Sequence, residues 1–207
     1  MIVDDHFLVR EGLKRIIGNE IDMEVAAEAS DYAELMALLR KKIEFDMMIL
    51  DISLPNKTGL EILKELMQRD KNTKVLMLTM HPEDRYAIRA IKAGALGYLT
   101  KKNLGNRVLK AIRKVASGGQ YISESLSEKL AVNLRESEGE KLHEKLSDRE
   151  FQVLQLIGMG KTIQQIAEEL SVSKSTVHTY KTRIREKMNM SSKAELMHYV
   201  IRNDLVY

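Results

Sequence analysis

Five polar residues stand at the ends of short apolar runs in the first half of this sequence. Asp4 and Asp5 follow Met1-Ile2-Val3, Asp51 follows Met47-Met48-Ile49-Leu50, Thr79 follows Val75-Leu76-Met77-Leu78, and Lys101 follows Tyr98-Leu99-Thr100. Taken alone, Asp51 reads as a strand-end acid capping a loop, and one of the first two acids reads as the cap of the next helix. Taken together, the residues suggest more. Adjacent carboxylates repel, so Asp4 and Asp5 are costly side by side unless a cation lies beside them, and Asp51 supplies a third oxygen donor. The chemistry this set permits is phosphoryl transfer to a carboxylate. Asp51 is the nucleophile and forms an acyl phosphate. A Mg²⁺ held by Asp5 and Asp51, with Asp4 through water and the Ser53 backbone carbonyl, neutralises the phosphoryl oxygens. Lys101 adds a point charge to the same oxygens, and the Thr79 hydroxyl bonds the phosphoryl group once attached.

Such a set needs a scaffold that brings strand ends together. The hydrophobic pattern predicts strands at residues 1–3, 23–29, 47–50, 74–78 and 96–99. Helices are predicted between and after them at 7–18, 31–42, 58–69, 82–93 and 104–117. Pro55 and Gly59 break the chain after Asp51 and turn it toward the third helix. Five strands alternating with five helices imply a doubly wound, five-stranded parallel sheet with right-handed crossovers, whose crevice lies beyond the carboxyl ends of the strands. The first strand is short for a buried one, which predicts several residues ahead of Met1.

Composition limits the alternatives. A chain of 207 residues with 44% hydrophobic content suits two domains with separate cores. The net charge of +3 is too small to announce nucleic acid globally, so any such signal is local. With no cysteine there is no disulfide, thiolate metal site or thiol nucleophile, and the chain suits a reducing, cytoplasmic setting. Every apolar run is broken by charge well before the ~18 residues a membrane span needs. Residues 118–145 read as a linker: Gly118-Gly119 ends the preceding helix, and 123–135 could form a modest amphipathic helix through Leu126, Leu130 and Leu134. The run Glu136-Ser137-Glu138-Gly139-Glu140-Lys141 is a charged tether.

Residues 146–207 change character to short helices. Ser147 and Glu150 form a capping box ahead of Phe151, Val153, Leu154, Leu156 and Ile157. Gly158 and Gly160 stop that helix, Thr162 begins a second, and Ser171-Val172-Ser173 turns into a third that runs to about Met188. A fourth spans 192–203. Two short helices joined by a three-residue turn read as a helix-turn-helix. In the third helix Val177, Tyr180, Ile184 and Met188 point inward. Ser175, His178, Thr179, Thr182 and Arg185 point outward, flanked by Lys174, Lys181, Arg183 and Lys187. Between 174 and 187 five Lys or Arg face Glu186 alone, which is either a solvated face or a surface for the major groove. In the second case the lysines and arginines contact phosphate, and His178, Thr179 and Thr182 approach base edges.

The motifs Val3-Asp4-Asp5, Asp51 with Pro55 and Gly59, Leu78-Thr79, and Gly97-Tyr98-Leu99-Thr100-Lys101 resemble the receiver domain of response regulators over residues 1–117. Leu146-Ser147-Asp148-Arg149-Glu150, Ile166-Ala167 and Ser175-Thr176-Val177 resemble LuxR-type helix-turn-helix domains over 146–207. Together they are similar to two-component response regulators of the NarL/FixJ type. The resemblance implies a flavodoxin-like receiver and a small all-α DNA-binding domain. It implies phosphorylation of Asp51 by a cognate histidine kinase, Thr79 and Tyr98 as a switch pair, binding to double-stranded DNA, and a homodimer formed near residues 194–200. Activity is then limited to the chain's own phosphotransfer and dephosphorylation. Tyr98 read without the resemblance is a half-buried strand aromatic. The chain departs from the pattern at Lys102, where many receivers carry proline, and at His178 and Tyr180, where family members commonly carry lysine and histidine. His81, two residues after Thr79, is either an exposed loop histidine or a modulator of aspartyl-phosphate hydrolysis. Two rivals come from other classes. One is an Mg²⁺-dependent phosphohydrolase, which usually places its nucleophile after the first strand with a second acid two residues on, where this chain has Ser53. The other is a DNA-binding protein indifferent to phosphate, its first domain serving only to dimerise.

Overall fold

A computed structural model describes residues 1–80, 83–124, 126–128, 141–203, 205 and 206. It divides into two compact units, Met1–Leu134 and Arg135–Tyr207.

In the first unit strands β1 (Ile2–Val3), β2 (Glu28–Ala29), β3 (Met48–Asp51), β4 (Val75–Thr79) and β5 (Gly97–Thr100) form one sheet in the order β2-β1-β3-β4-β5. Every pairing is parallel, with Val3 opposite Leu50, Asp51 opposite Leu78, and Thr79 opposite Thr100. Helices α1 (Phe7–Gly18), α2 (Tyr32–Arg40), α3 (Gly59–Arg69), α4 (Glu83–Lys92) and α5 (Gly105–Ala116) supply the crossovers. Strand order reverses after β2, so right-handed crossovers place α1 on one face of the sheet and the next helices on the other. Leu13 and Ile17 of α1 pack with Val108 and Ile112 of α5 against Ile49, Leu76 and Leu78. Covered on both faces, β3 and β4 are continuous apolar runs buried throughout. The reversal opens a crevice between the ends of β1 and β3, and Asp4 and Asp51 sit at those ends.

The expected second strand, 23–29, is reduced to Glu28–Ala29. A strand exists only against a partner. The pairing with β1 sets Glu28 opposite Ile2 and Ala29 opposite Val3, and Ala27 O accepts one further bond from Ile2 N–H at 3.0 Å. A groove of about 850 Å³ lies there, lined by Ile17, Met23, Val25, Phe45, Met47 and Ile112. The Met1 backbone nitrogen donates to Met47 O at 3.0 Å. Beyond residue 117, Tyr121 makes a parallel bridge to Gly97 at the free edge of β5, its carbonyl accepting from Tyr98 N–H at 3.1 Å. Of the helix expected at 123–135, Ser123 caps the first turn by accepting from Leu126 N–H, and residues 129–140 lie outside those described.

The second unit contains α6 (Asp148–Gly158), α7 (Ile163–Glu169), α8 (Lys174–Met188) and α9 (Lys193–Arg202). Each starts at a hydroxyl cap: Ser147 and Thr162 in full capping boxes with Glu150 and Gln165, Ser173 on Thr176 N–H, and Ser192 on Glu195 N–H. Ser171, at φ 52°, turns α7 into α8. Gly158 is the last residue of α6, and a Cβ there would meet Val200 Cγ1 at 2.4 Å, so α9 packs directly on α6. Gly160, at φ 81°, completes the stop. Val177, Ile184 and Met188 are buried as expected, and Tyr180 is half-buried.

Candidate functional site

At the crevice the β1 and β3 carboxylates meet one ammonium. Lys101, which opens a 3-10 helix (Lys101–Asn103) just after β5, places Nζ 2.7 Å from Asp51 Oδ2 and 2.7 Å from Asp4 Oδ2. All three side chains are at most 3% exposed. Lys101 donates a hydrogen bond to Asp51 and forms an ion pair with Asp4. Asp4 Oδ2 and, on the other side of its carboxylate, Asp51 Oδ1 are both buried without a hydrogen bond. Burial pushes the Asp51 carboxyl up, Lys101 pulls it back, and the neighbouring Asp4 charge adds to the rise. Burial also works against the Lys101 charge, but Asp51 and Asp4 outweigh it and hold the ammonium above its usual range.

Asp5 lies nearer solvent, 35% exposed, with His6 Nδ1 2.7 Å from its Oδ1. The Asp4 carboxylate is held by His6 N–H at 2.9 Å, and Arg10 donates to the Asp4 carbonyl at 2.7 Å. Asp4, Asp5, His6 and Asp51 each present a ligand atom within 4.8 Å of the others. Three carboxylates, two of their oxygens lacking hydrogen bonds, fit a hard divalent cation such as Mg²⁺. Sequence reasoning missed His6 and Arg10; His6 directly follows the acid pair, which was an available signal, while Arg10 reaches back from the first turn of α1.

The loop from β3 to α3 is shaped by contact with Asp51 itself. A Cβ on Gly59 would lie 1.9 Å from the Asp51 carbonyl oxygen, so glycine alone lets α3 start there. Thr58 caps α3 in a box with Glu61, Gly59 N–H donates to Ile52 O at 2.8 Å, and Asn56 takes φ 65°. Ser53 is half-exposed at the mouth of the crevice. Thr79 at the end of β4 and Tyr98 in β5 are fully buried, and the Tyr98 backbone N–H is tied to Tyr121 O at 3.1 Å. His81 lies outside the described residues.

On α8 the residues expected at DNA divide by what they already hold. His178, Thr182 and Arg183 are exposed, and Lys181 is half-buried. Lys174 bonds Gln164 Oε1 at 3.1 Å, bracing α8 against α7. Ser175 shares a bond with Ser173, and the Thr179 hydroxyl donates to Ser175 O at 3.1 Å. Arg185 turns back onto the Met190 and Ser191 carbonyls after the helix end. From α6, Arg149 donates to Gln152 at 2.8 Å and to Leu170 O at 3.1 Å, fixing the end of α7, while Lys187 pairs with buried Glu150 at 2.6 Å.

A β2-β1-β3-β4-β5 sheet with acids and a lysine at its reversal point, joined to a capped helix-turn-helix, defines a receiver module coupled to a DNA-binding module. The comparisons with known proteins agree. The receiver domain of response regulators matches residues 1–113, and the luxR family of bacterial regulatory proteins matches 144–200. The chain is 34% identical to the response regulator UvrY of Escherichia coli K12, over 99% of this chain and 94% of that one. It is 32% identical to the response regulator GacA of Pseudomonas aeruginosa, over 100% and 96%. Among solved structures, the response regulator ChrA of a heme-sensing two-component system aligns at a TM-score of 0.51 and 28% identity, over 99% and 96%. The chain belongs to the NarL/FixJ-type response regulators, with a LuxR-type DNA-binding domain. No helix among the described residues is long and apolar enough to cross a membrane.

Proposed function

We propose that Asp51 is the phosphoacceptor of this regulator and that its modification switches DNA binding. The observation that carries the reading is Asp51 Oδ1, buried without a hydrogen bond while Oδ2 is held by Lys101. As Oδ1 forms its bond to phosphorus, the N–P bond of a histidine kinase's phosphohistidine breaks, and the imidazole leaves with a proton. Asp5, Asp51, the Ser53 carbonyl and, through water, Asp4 would hold Mg²⁺, which when bound neutralises charge on the phosphoryl oxygens. Lys101 shifts its ammonium to the new phosphoryl group, and Thr79 donates its hydroxyl. The Thr79 and Tyr98 side chains then reorient as a pair, which releases the second unit to dimerise.

Residues 1–117 act as the receiver, 118–145 as the tether and 146–207 as the DNA-binding part, in the cytoplasm. Two copies of α8 enter major grooves about one helical turn apart. His178, Thr179 and Thr182 face bases, and Lys174, Lys181 and Arg183 face phosphates. Ser175 and Arg185 join them once they leave their present partners. Leu196 and Val200 are fully buried in the helical unit, so the homodimer contact falls to the outer face of α9, where Ala194, His198 and Ile201 are exposed. The test is phosphoryl incorporation from acetyl phosphate, read by intact mass. The wild type gains one phosphoryl group in Mg²⁺ and none in EDTA, and Asp51→Asn gains none. Equal incorporation by Asp51→Asn would refute the assignment.

A further inference from the structure

We infer that Tyr32, Lys57 and Glu65 form a clamp that positions the β3–α3 loop for Mg²⁺, an inference that rests on the Ser53 carbonyl being a metal ligand. Lys57 stands between Ser53 and the Thr58 cap, and its side chain reaches two helices. Its Nζ sits 4.1 Å from the centre of the Tyr32 ring at the start of α2, and it pairs with Glu65 on α3. The Tyr32 hydroxyl donates to the same carboxylate, 3.0 and 2.9 Å from its two oxygens, and Arg69 holds it at 2.5 Å. One carboxylate therefore gathers a phenol, an ammonium and a guanidinium from three segments.

The loop's own backbone bonds are local. Lys57 N–H donates to Pro55 O at 2.7 Å and Gly59 N–H to Ile52 O at 2.8 Å, while Leu54 is buried beneath. The Lys57 side chain ties this stretch to α2. Lys57 and Glu65 are 31% and 24% exposed, so their pair is partly desolvated and a cation over an aromatic face gains strength there. A metal ligand supplied by a backbone carbonyl has no rotamer to choose. Its affinity depends on how narrowly the loop holds that carbonyl, because ordering a loose loop costs free energy at the moment of binding. Lys57 is thus a positioning residue, which touches neither metal nor phosphoryl group and acts through Ser53.

The experiment is Mg²⁺ titration of the full-length chain by calorimetry, without any phosphodonor. Lys57→Ala is expected to weaken Mg²⁺ about tenfold, the scale on which residues behind a metal ligand act. Tyr32→Phe keeps the ring but loses the bond to Glu65, so it weakens binding less. Lys57→Arg keeps both the cation over the ring and the Glu65 pair and stays within about twofold of wild type. Arg113→Ala breaks an exposed receiver ion pair with Glu20 and Asp22 and leaves Mg²⁺ binding unchanged. Thermal unfolding in EDTA checks that each variant is folded. Equal Mg²⁺ affinity in wild type and Lys57→Ala would overturn the clamp while leaving the metal site standing. Absence of Mg²⁺ binding in the wild type would overturn the metal reading, and the clamp with it.

Discussion

The two units treat buried charge in opposite ways. In the receiver, Asp4 and Asp51 share one ammonium, and an oxygen of each keeps no hydrogen bond. In the helical unit Glu150, 3% exposed, accepts from Ser147 N–H at 2.8 Å and pairs with Lys187 at 2.6 Å. There Arg149 is bonded through both terminal nitrogens of its guanidinium, to Gln152 Oε1 and Leu170 O. Buried polar groups are almost always satisfied, so those left short mark where a ligand or a modification completes the structure. On the function proposed above, the receiver works from inside, at a site that is electrostatically incomplete, and the helical unit, with its buried Glu150 paired, works from the outer face of α8.

Breaking the receiver arrangement produces the largest effect. Lys101→Ala strands two buried carboxylates and is expected to destabilise the receiver by about 3 kcal/mol, measured as a shift in its urea transition at pH 7. Mg²⁺ restores part of this loss. A cost no larger than that of an exposed ion pair would show that water already solvates the site. In the helical unit, Glu150→Ala removes a cap partner and the Lys187 pair together and costs about 2 kcal/mol, read from the unfolding of that unit.

The same comparison predicts opposite responses to pH. Burial raises the Asp51 pKa, so its contribution to stability is present below the ordinary carboxylate range and is lost as pH rises through the raised value. Asp51→Asn therefore stabilises the receiver by about 1 kcal/mol at pH 7, and the gain vanishes in acid. Burial opposes ionisation of Glu150 too, but Lys187 and Ser147 prevail and its pKa is lowered. Its contribution is present above the ordinary carboxylate range and is lost as pH falls through the lowered value. Parallel pH profiles for the two units would erase the distinction. The smallest effect on folding belongs to Arg183→Ala, which leaves stability within about 0.5 kcal/mol. It still weakens DNA binding and lowers the salt-dependence slope by about 1.

Much of this was legible in the sequence where one segment carries the whole signal. Asp51, Thr79 and Lys101 follow apolar runs, and a parallel sheet leaves the strand ends one shared side on which to converge. The caps Ser147, Thr162, Ser173 and Ser192 were legible for the same reason, since a hydroxyl bonds its own chain three residues on. What stayed hidden depends on distant partners. Tyr32 meets Glu65 across 33 positions with no local trace. Arg185 reads as an outward-facing cation by helical phase, yet the carbonyls beyond the end of α8 claim it.

On the proposed function, the incomplete receiver site controls DNA binding by the helical unit. This control is tested by binding to duplex DNA selected from a random-sequence pool, with and without acetyl phosphate and Mg²⁺, for wild type and Asp51→Asn. Phosphorylation of the wild type is expected to tighten binding and shift the chain to dimer, with neither change in the mutant. Equal binding in all four conditions would contradict it and make the first unit a passive partner whose acids serve structure alone.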